Sequence, residues 1–130
     1  MWYAAHLVEL FRYVNPADQH EFRFYENVVL IEAETSKEAW EKAEQLGKEE
    51  ATASANSGTT VNGKPVVMEF AGIRKLVECL PYDPDNFFTT GTEITYSEMS
   101  VKTEEDLMQY LRGKPVDVEM CDDLTADEET

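Results

Sequence analysis

The sequence predicts an α+β domain: a mostly antiparallel sheet in the order β-β-α-β-β-β-α-β, with two helices packed on one face. Three observations carry this. Runs of apolar and β-branched residues with a period of two recur along the chain. Two segments switch to a helical period behind capping residues. Asn62-Gly63, flanked by strand-like runs, is a strong short-range hairpin signal.

Residues 2–14 read as the first strand, with Trp2, Ala4, His6, Val8 and Leu10 on one face. Tyr3, Ala5, Leu7, Glu9 and Phe11 take the other, so the strand is expected to be covered on both sides at least in part. Asn15-Pro16-Ala17-Asp18 is a turn, and Phe22 to Ala33 is the second strand of an antiparallel hairpin. Thr35-Ser36-Lys37-Glu38 then fits a capping box, with Thr35 as the cap and Glu38 reaching back. Trp40, Ala43, Leu46 and Gly47 form the apolar stripe of the helix that follows, which is expected to fray within Glu49 to Ala55. Asn56-Ser57-Gly58 is a loop.

Thr60-Val61 and Pro65 to Phe70 flank the Asn62-Gly63 turn, and the second of these strands continues through Cys79 with a bulge at Gly72. Pro81 to Asn86 is a loop, with Phe87-Phe88 expected to pack onto the core; Thr92 to Val101 is the next strand. Thr103 caps a second helix whose first turn is acidic, whose buried face is Leu107, Tyr110 and Leu111, and which Gly113 and Pro115 end. Val116, Val118 and Met120 alternate with acids in a last strand. Residues 2–121 therefore read as a single domain, and residues 122–130 as a disordered acidic tail.

The 130 residues hold 27 acids and 11 bases, a net charge of −16. The tail holds five acids and no base, so the folded part is acidic by itself. Such a surface opposes nucleic acid and anionic membranes and favours a partner with a basic surface. The sequence shows neither a signal peptide nor an apolar span, so a cytoplasmic location is expected. Cys79 and Cys121 form no C-x-x-C pair and read as reduced thiols. No Cys or His spacing suits a metal, and no glycine-rich loop precedes a helix, so no cofactor is expected.

The histidines are His6 and His20; His6, inside an apolar strand, reads as a hydrogen-bonded core residue. The polar residues hardest to explain as core lie on strands: Glu26, Glu69, Arg74, Glu93, Tyr96 and Glu98. Two carboxylates facing each other there could do acid–base work or hold a divalent cation. The ordinary alternative is that they are solvated or paired with arginines such as Arg12 and Arg23. The aromatics Trp2, Tyr3, Phe11, Tyr13, Phe22, Phe24 and Tyr25 exceed what one helix layer needs, which predicts a homodimer through the open sheet face, with the first six as its interface.

Several blocks together resemble a family of small bacterial domains known as domain of unknown function 4288. They are Trp2-Tyr3-Ala4-Ala5, residues 26–33 followed by 38–43, residues 70–76 and residues 91–97. The resemblance runs from Trp2 to about Val118, with the loop Pro81 to Phe88 and the tail outside it. It implies bacterial origin and a compact α+β domain. The family carries no established activity, so it supplies no catalytic residue. The reading that follows is a non-catalytic binding or interaction module. The alternative is an enzyme or small-ligand binder with a carboxylate, arginine and tyrosine pocket on the sheet.

Overall fold

A computed structural model describes residues 1–55, 57–79, 90–91 and 93–121, with residues 93–96 described by their backbone alone. The chain runs β1 (Trp2–Tyr13), a 3-10 turn (Pro16–Asp18), β2 (Phe22–Glu32), α1 (Ser36–Ser54), β3 (Thr60–Val61), β4 (Lys64–Cys79), β5 (Glu93–Val101), α2 (Glu104–Leu111) and β6 (Glu119–Met120). The strands form one antiparallel sheet in the order β3-β4-β1-β2-β5-β6. The α+β class, the antiparallel sheet and the element order expected from the sequence are all present. The expected loop at Pro81 to Phe88 and the tail at 122–130 lie outside the described residues.

The local signals act as their chemistry requires. Asn15 Oδ1 accepts from the Ala17 N–H and starts the 3-10 turn. Asn62 and Gly63 both take positive φ, 54° and 77°, the geometry of a type I′ turn whose twist suits the two strands it joins. Thr35 Oγ1 accepts from the Glu38 N–H at 3.1 Å, while Glu38 Oε2 accepts from the N–H of Glu34, one residue before the cap. Thr103 caps α2 the same way, through the Asp106 N–H. α1 continues to Ser54, through the segment expected to fray.

The helices sit on opposite faces of the sheet, not on one. Ala39 and Ala43 of α1 share a core with Tyr3, Ala5, Leu7, Val29, Ile31 and Ile73. Leu107 of α2 shares another with Val8, Leu10, Phe24, Met99 and Val101. Successive strand residues point to opposite faces, so the odd residues of β1 lie under α1 and the even ones under α2. Two apolar faces on one strand require two covers, and the two helices are those covers. Where β4 passes α2, Gly72 has φ 147° and the pairing with β1 shifts register between Val8 and Glu9. A Cβ there would stand 2.9 Å from Leu111 Cδ2, so the bulge also seats the helix.

This arrangement takes up the aromatics inside the protomer. Tyr3 lies under α1, Phe24 is fully buried under α2, and Phe22 packs beside it, half-buried. Phe11 and Tyr13 close a third cluster with Val61, Val66 and Met68. Trp2 is half-buried. The stripe of α1 is also shifted from the expected one. The buried positions are Ala39, Ala43 and Gly47, while Trp40 is exposed and donates to Glu44. Small residues let the helix axis approach the sheet more closely than a tryptophan would allow. Among the described residues, no helix is long and apolar enough to cross a membrane.

Candidate functional site

Glu26 and Asn27 are consecutive residues of β2, both buried, and they point to opposite faces of the sheet. Each centres a polar site. On the α2 face, the Glu26 carboxylate accepts four hydrogen bonds. Arg74 of β4 donates through Nε at 2.6 Å and Nη2 at 2.8 Å. His6 of β1 meets Oε2 through Nδ1 at 2.8 Å, and the Tyr110 hydroxyl of α2 donates at 2.9 Å. Arg74 also lies 5.1 Å from the Tyr110 ring centroid, a cation–π contact.

Burial pushes the Glu26 carboxyl up, but the bonds from Arg74, His6 and Tyr110 outweigh it and hold the group below its ordinary range. Burial, with the bond to Glu26, pushes the Tyr110 hydroxyl up to about 12. A carboxylate on Nδ1 fixes the histidine tautomer and turns Nε2 outward, which is half of an acid–base pair. Among the described residues no hydrogen bond joins that nitrogen to a hydroxyl or thiol. The cluster therefore ties β1, β2, β4 and α2 together.

Its weakest link makes a direct test. Tyr110→Phe removes one half-buried hydrogen bond to a charged group and is expected to cost about 1.5 kcal/mol at pH 7. The pH dependence has a definite sign. The tyrosine's folded value lies above an unfolded value of about 10, so its contribution is complete below that pH and is lost as the pH rises toward 12. Urea unfolding at pH 7 and between pH 9.5 and 11.5 should show the variant losing less stability than the wild type across the alkaline range.

On the α1 face, Asn27 helps line an open cleft of about 600 Å3. Glu9, Tyr25, Asn27, Val29 and Glu98 form its floor, and Glu50, Ala53 and Ser54 of α1 form its rim. Glu9, Tyr25 and Glu98 are register partners on adjacent strands β1, β2 and β5, so they stand in one row across the sheet. Glu9 is only 3% exposed. Phe11 braces the Tyr25 ring edge-on at 5.2 Å. Glu98 Oε2 accepts from Arg23 through Nε at 2.8 Å and through Nη2.

The six polar residues singled out in the sequence are thus divided. Glu26 and Arg74 meet on one face. Glu98 lies on the other, with Arg23. Glu69 is at a third place, paired with Arg12 at 2.6 Å, and Arg12 also reaches Glu104. The backbones of Glu93 and Tyr96 lie in β5, but their side chains fall outside the described residues. His6, Tyr110, Glu9 and Asn27 were not among the six. The signal for Glu9 was present: it is the single acid on an otherwise apolar face of β1.

Fold and site define a small antiparallel α+β domain with one buried polar centre per face. The chain belongs to the family described as domain of unknown function (DUF4288), whose family model matches residues 2–96. That span takes in His6, Glu9, Glu26, Asn27, Glu50 and Arg74, and it ends before Glu98 and all of α2. No curated protein and no solved structure matches the chain.

Proposed function

We propose that the chain is a non-catalytic, cytoplasmic binding module whose ligand enters the cleft between the last turns of α1 and the sheet. The observation that carries this is the cleft itself. It has the size of a small-ligand site, apolar walls at Val29 and Ala53, and polar groups converging from three strands and a helix. The Glu26 cluster on the opposite face supports the same reading, because its carboxylate is saturated by donors and serves as a structural tie. The net charge of −16 favours a partner with a basic surface. A second copy of the chain, as a homodimer, would have to meet an edge of the sheet or the half-buried Trp2 and Phe22. Tyr3, Phe11, Tyr13 and Phe24 are buried within the protomer.

The test is a 15N-correlation NMR titration with a panel of small cationic, neutral and anionic compounds. At least one class should shift the amides of Asn27, Val29, Ala53 and Ser54 as a saturable set. A panel that leaves all four unmoved at millimolar concentration would remove the cleft as a binding site.

A further inference from the structure

We infer that the cleft takes a small neutral amide: a molecule with an N–H beside a C=O on an apolar body, such as a lactam, docked against the side chain of Asn27. This rests on the binding reading just given and names its ligand chemistry. Four features argue for it. The first is an orphaned acceptor. Asn27 is 9% exposed and lines the cleft, and its Oδ1 has no hydrogen-bond partner among the described residues. A buried amide oxygen without a donor is costly, and a ligand N–H would satisfy it.

The second is the position of that residue. Asn27 stands opposite Leu7 of β1, which is fully buried, and two residues before Val29, which belongs to the core beneath α1. Packing alone would place an apolar side chain there, and asparagine is depleted in strands. Neither packing nor strand propensity accounts for the amide, whereas a ligand does.

The third is that the acids of the lining are already in use. Glu98 accepts from Arg23, and Glu9, Tyr25 and Glu50 are each engaged within the protein as well. A charged ligand would have to draw on groups that the protein itself employs. A neutral one that bonds to Asn27 disturbs none of them.

The fourth is the shape of the group that is left. A carboxamide carries its acceptor and its donor on one plane. An alcohol would meet Oδ1 alone. A ligand with N–H beside C=O donates to Oδ1 and can also accept from Nδ2, the two-point pairing that asparagine makes with planar edges such as that of adenine. Val29 and Ala53 offer apolar surface to the carbon skeleton of such a molecule.

The experiment is a 15N-correlation NMR titration with δ-valerolactam, N-methyl-δ-valerolactam and cyclohexanone, combined with urea unfolding of Asn27→Leu. Saturable shifts at Asn27, Val29 and Ser54 are expected with the lactam. The N-methyl form lacks the N–H and cyclohexanone lacks the whole amide, so each should bind about tenfold more weakly or worse. Asn27→Leu keeps the approximate size of the side chain and removes both polar ends. It should weaken lactam binding about tenfold while leaving the urea midpoint unchanged or higher, because it removes a buried group without a partner. An asparagine kept only for the fold would instead give a lower midpoint. Equal binding of the lactam and its N-methyl form, undiminished lactam binding in Asn27→Leu, or a lowered midpoint in that variant would each overturn the proposal. Shifts of these amides by charged compounds, with none from the lactam, would also overturn it and leave the binding reading standing. The binding reading itself fails only if no compound in either titration moves those amides.

Discussion

Glu26→Ala is expected to lower the free energy of unfolding by about 3 kcal/mol at pH 7. The argument is one of unmet groups, not of a lost attraction. The carboxylate takes both Nε and Nη2 of Arg74, Nδ1 of His6 and the hydroxyl of Tyr110. Its removal leaves an arginine charge and two further donors facing a hole between the sheet and α2. Breaking a buried pair from one side costs about 3–5 kcal/mol. Arg74 keeps a quarter of its side chain exposed, so water can recover part of that, which places the effect at the lower end. Glu26→Gln keeps the shape and two acceptor directions and should cost about half as much.

The linkage with pH provides an independent readout. The folded value of Glu26 lies below its unfolded value of about 4.3. The stabilisation it gives is therefore complete above that pH and is lost as the pH falls through the lower folded value. Stability measured by urea unfolding from pH 5 down to pH 2 should fall less steeply for Glu26→Gln than for the wild type. A loss under about 1 kcal/mol for Glu26→Ala, with an unchanged acid slope, would place the carboxylate among ordinary solvated ion pairs.

The sequence shows which of these groups exist more readily than which of them meet. Turn and cap chemistry is local. Asn62-Gly63, the Thr35 and Thr103 caps and the Gly72 bulge could therefore be read from neighbouring residues, and all four are present. Helix placement is not local. The apolar residues on both faces of β1 indicate two covers, but no local signal assigns α1 and α2 to opposite faces, and with both helices on one face the aromatics point to a second copy of the chain as the other cover. The site divides along the same line. Glu26 and Arg74 stood out as polar residues on strands. Their partners His6 and Tyr110 did not, because those contacts depend on hairpin register and on how α2 seats. His6 is opposite Val28, and Val8 is opposite Glu26, so His6 and Glu26 are diagonal neighbours. That relation becomes visible only once the hairpin register is known. Tyr110 arrives from 84 residues away and had a sufficient explanation as a core residue.

Gly47→Ala is expected to destabilise the domain by about 2 kcal/mol, against the direction that helix propensity alone would give. Gly47 lies within α1, where alanine is favoured by about 1 kcal/mol. The glycine is buried against β4, however, and a Cβ built on it would fall well inside van der Waals contact with Cδ1 and Cε1 of Phe70. Phe70 packs against the core formed by Tyr3, Ala5, Leu7 and Ile73, so its ring has little room to yield. Overpacking of this kind typically costs about 1–3 kcal/mol, and the propensity gain offsets only part of the steric loss. The cleft adds a second consequence. Glu50, Ala53 and Ser54 lie one to two turns beyond Gly47 on the same helix. A helix pushed off the sheet at Gly47 would raise that rim, so ligand binding in the cleft should weaken along with stability. The double variant Gly47→Ala/Phe70→Leu separates the causes. A smaller side chain opposite the new methyl should recover at least 1 kcal/mol relative to Gly47→Ala in thermal or urea unfolding. No recovery would mean that the glycine is required for its backbone and not for the space it leaves to Phe70.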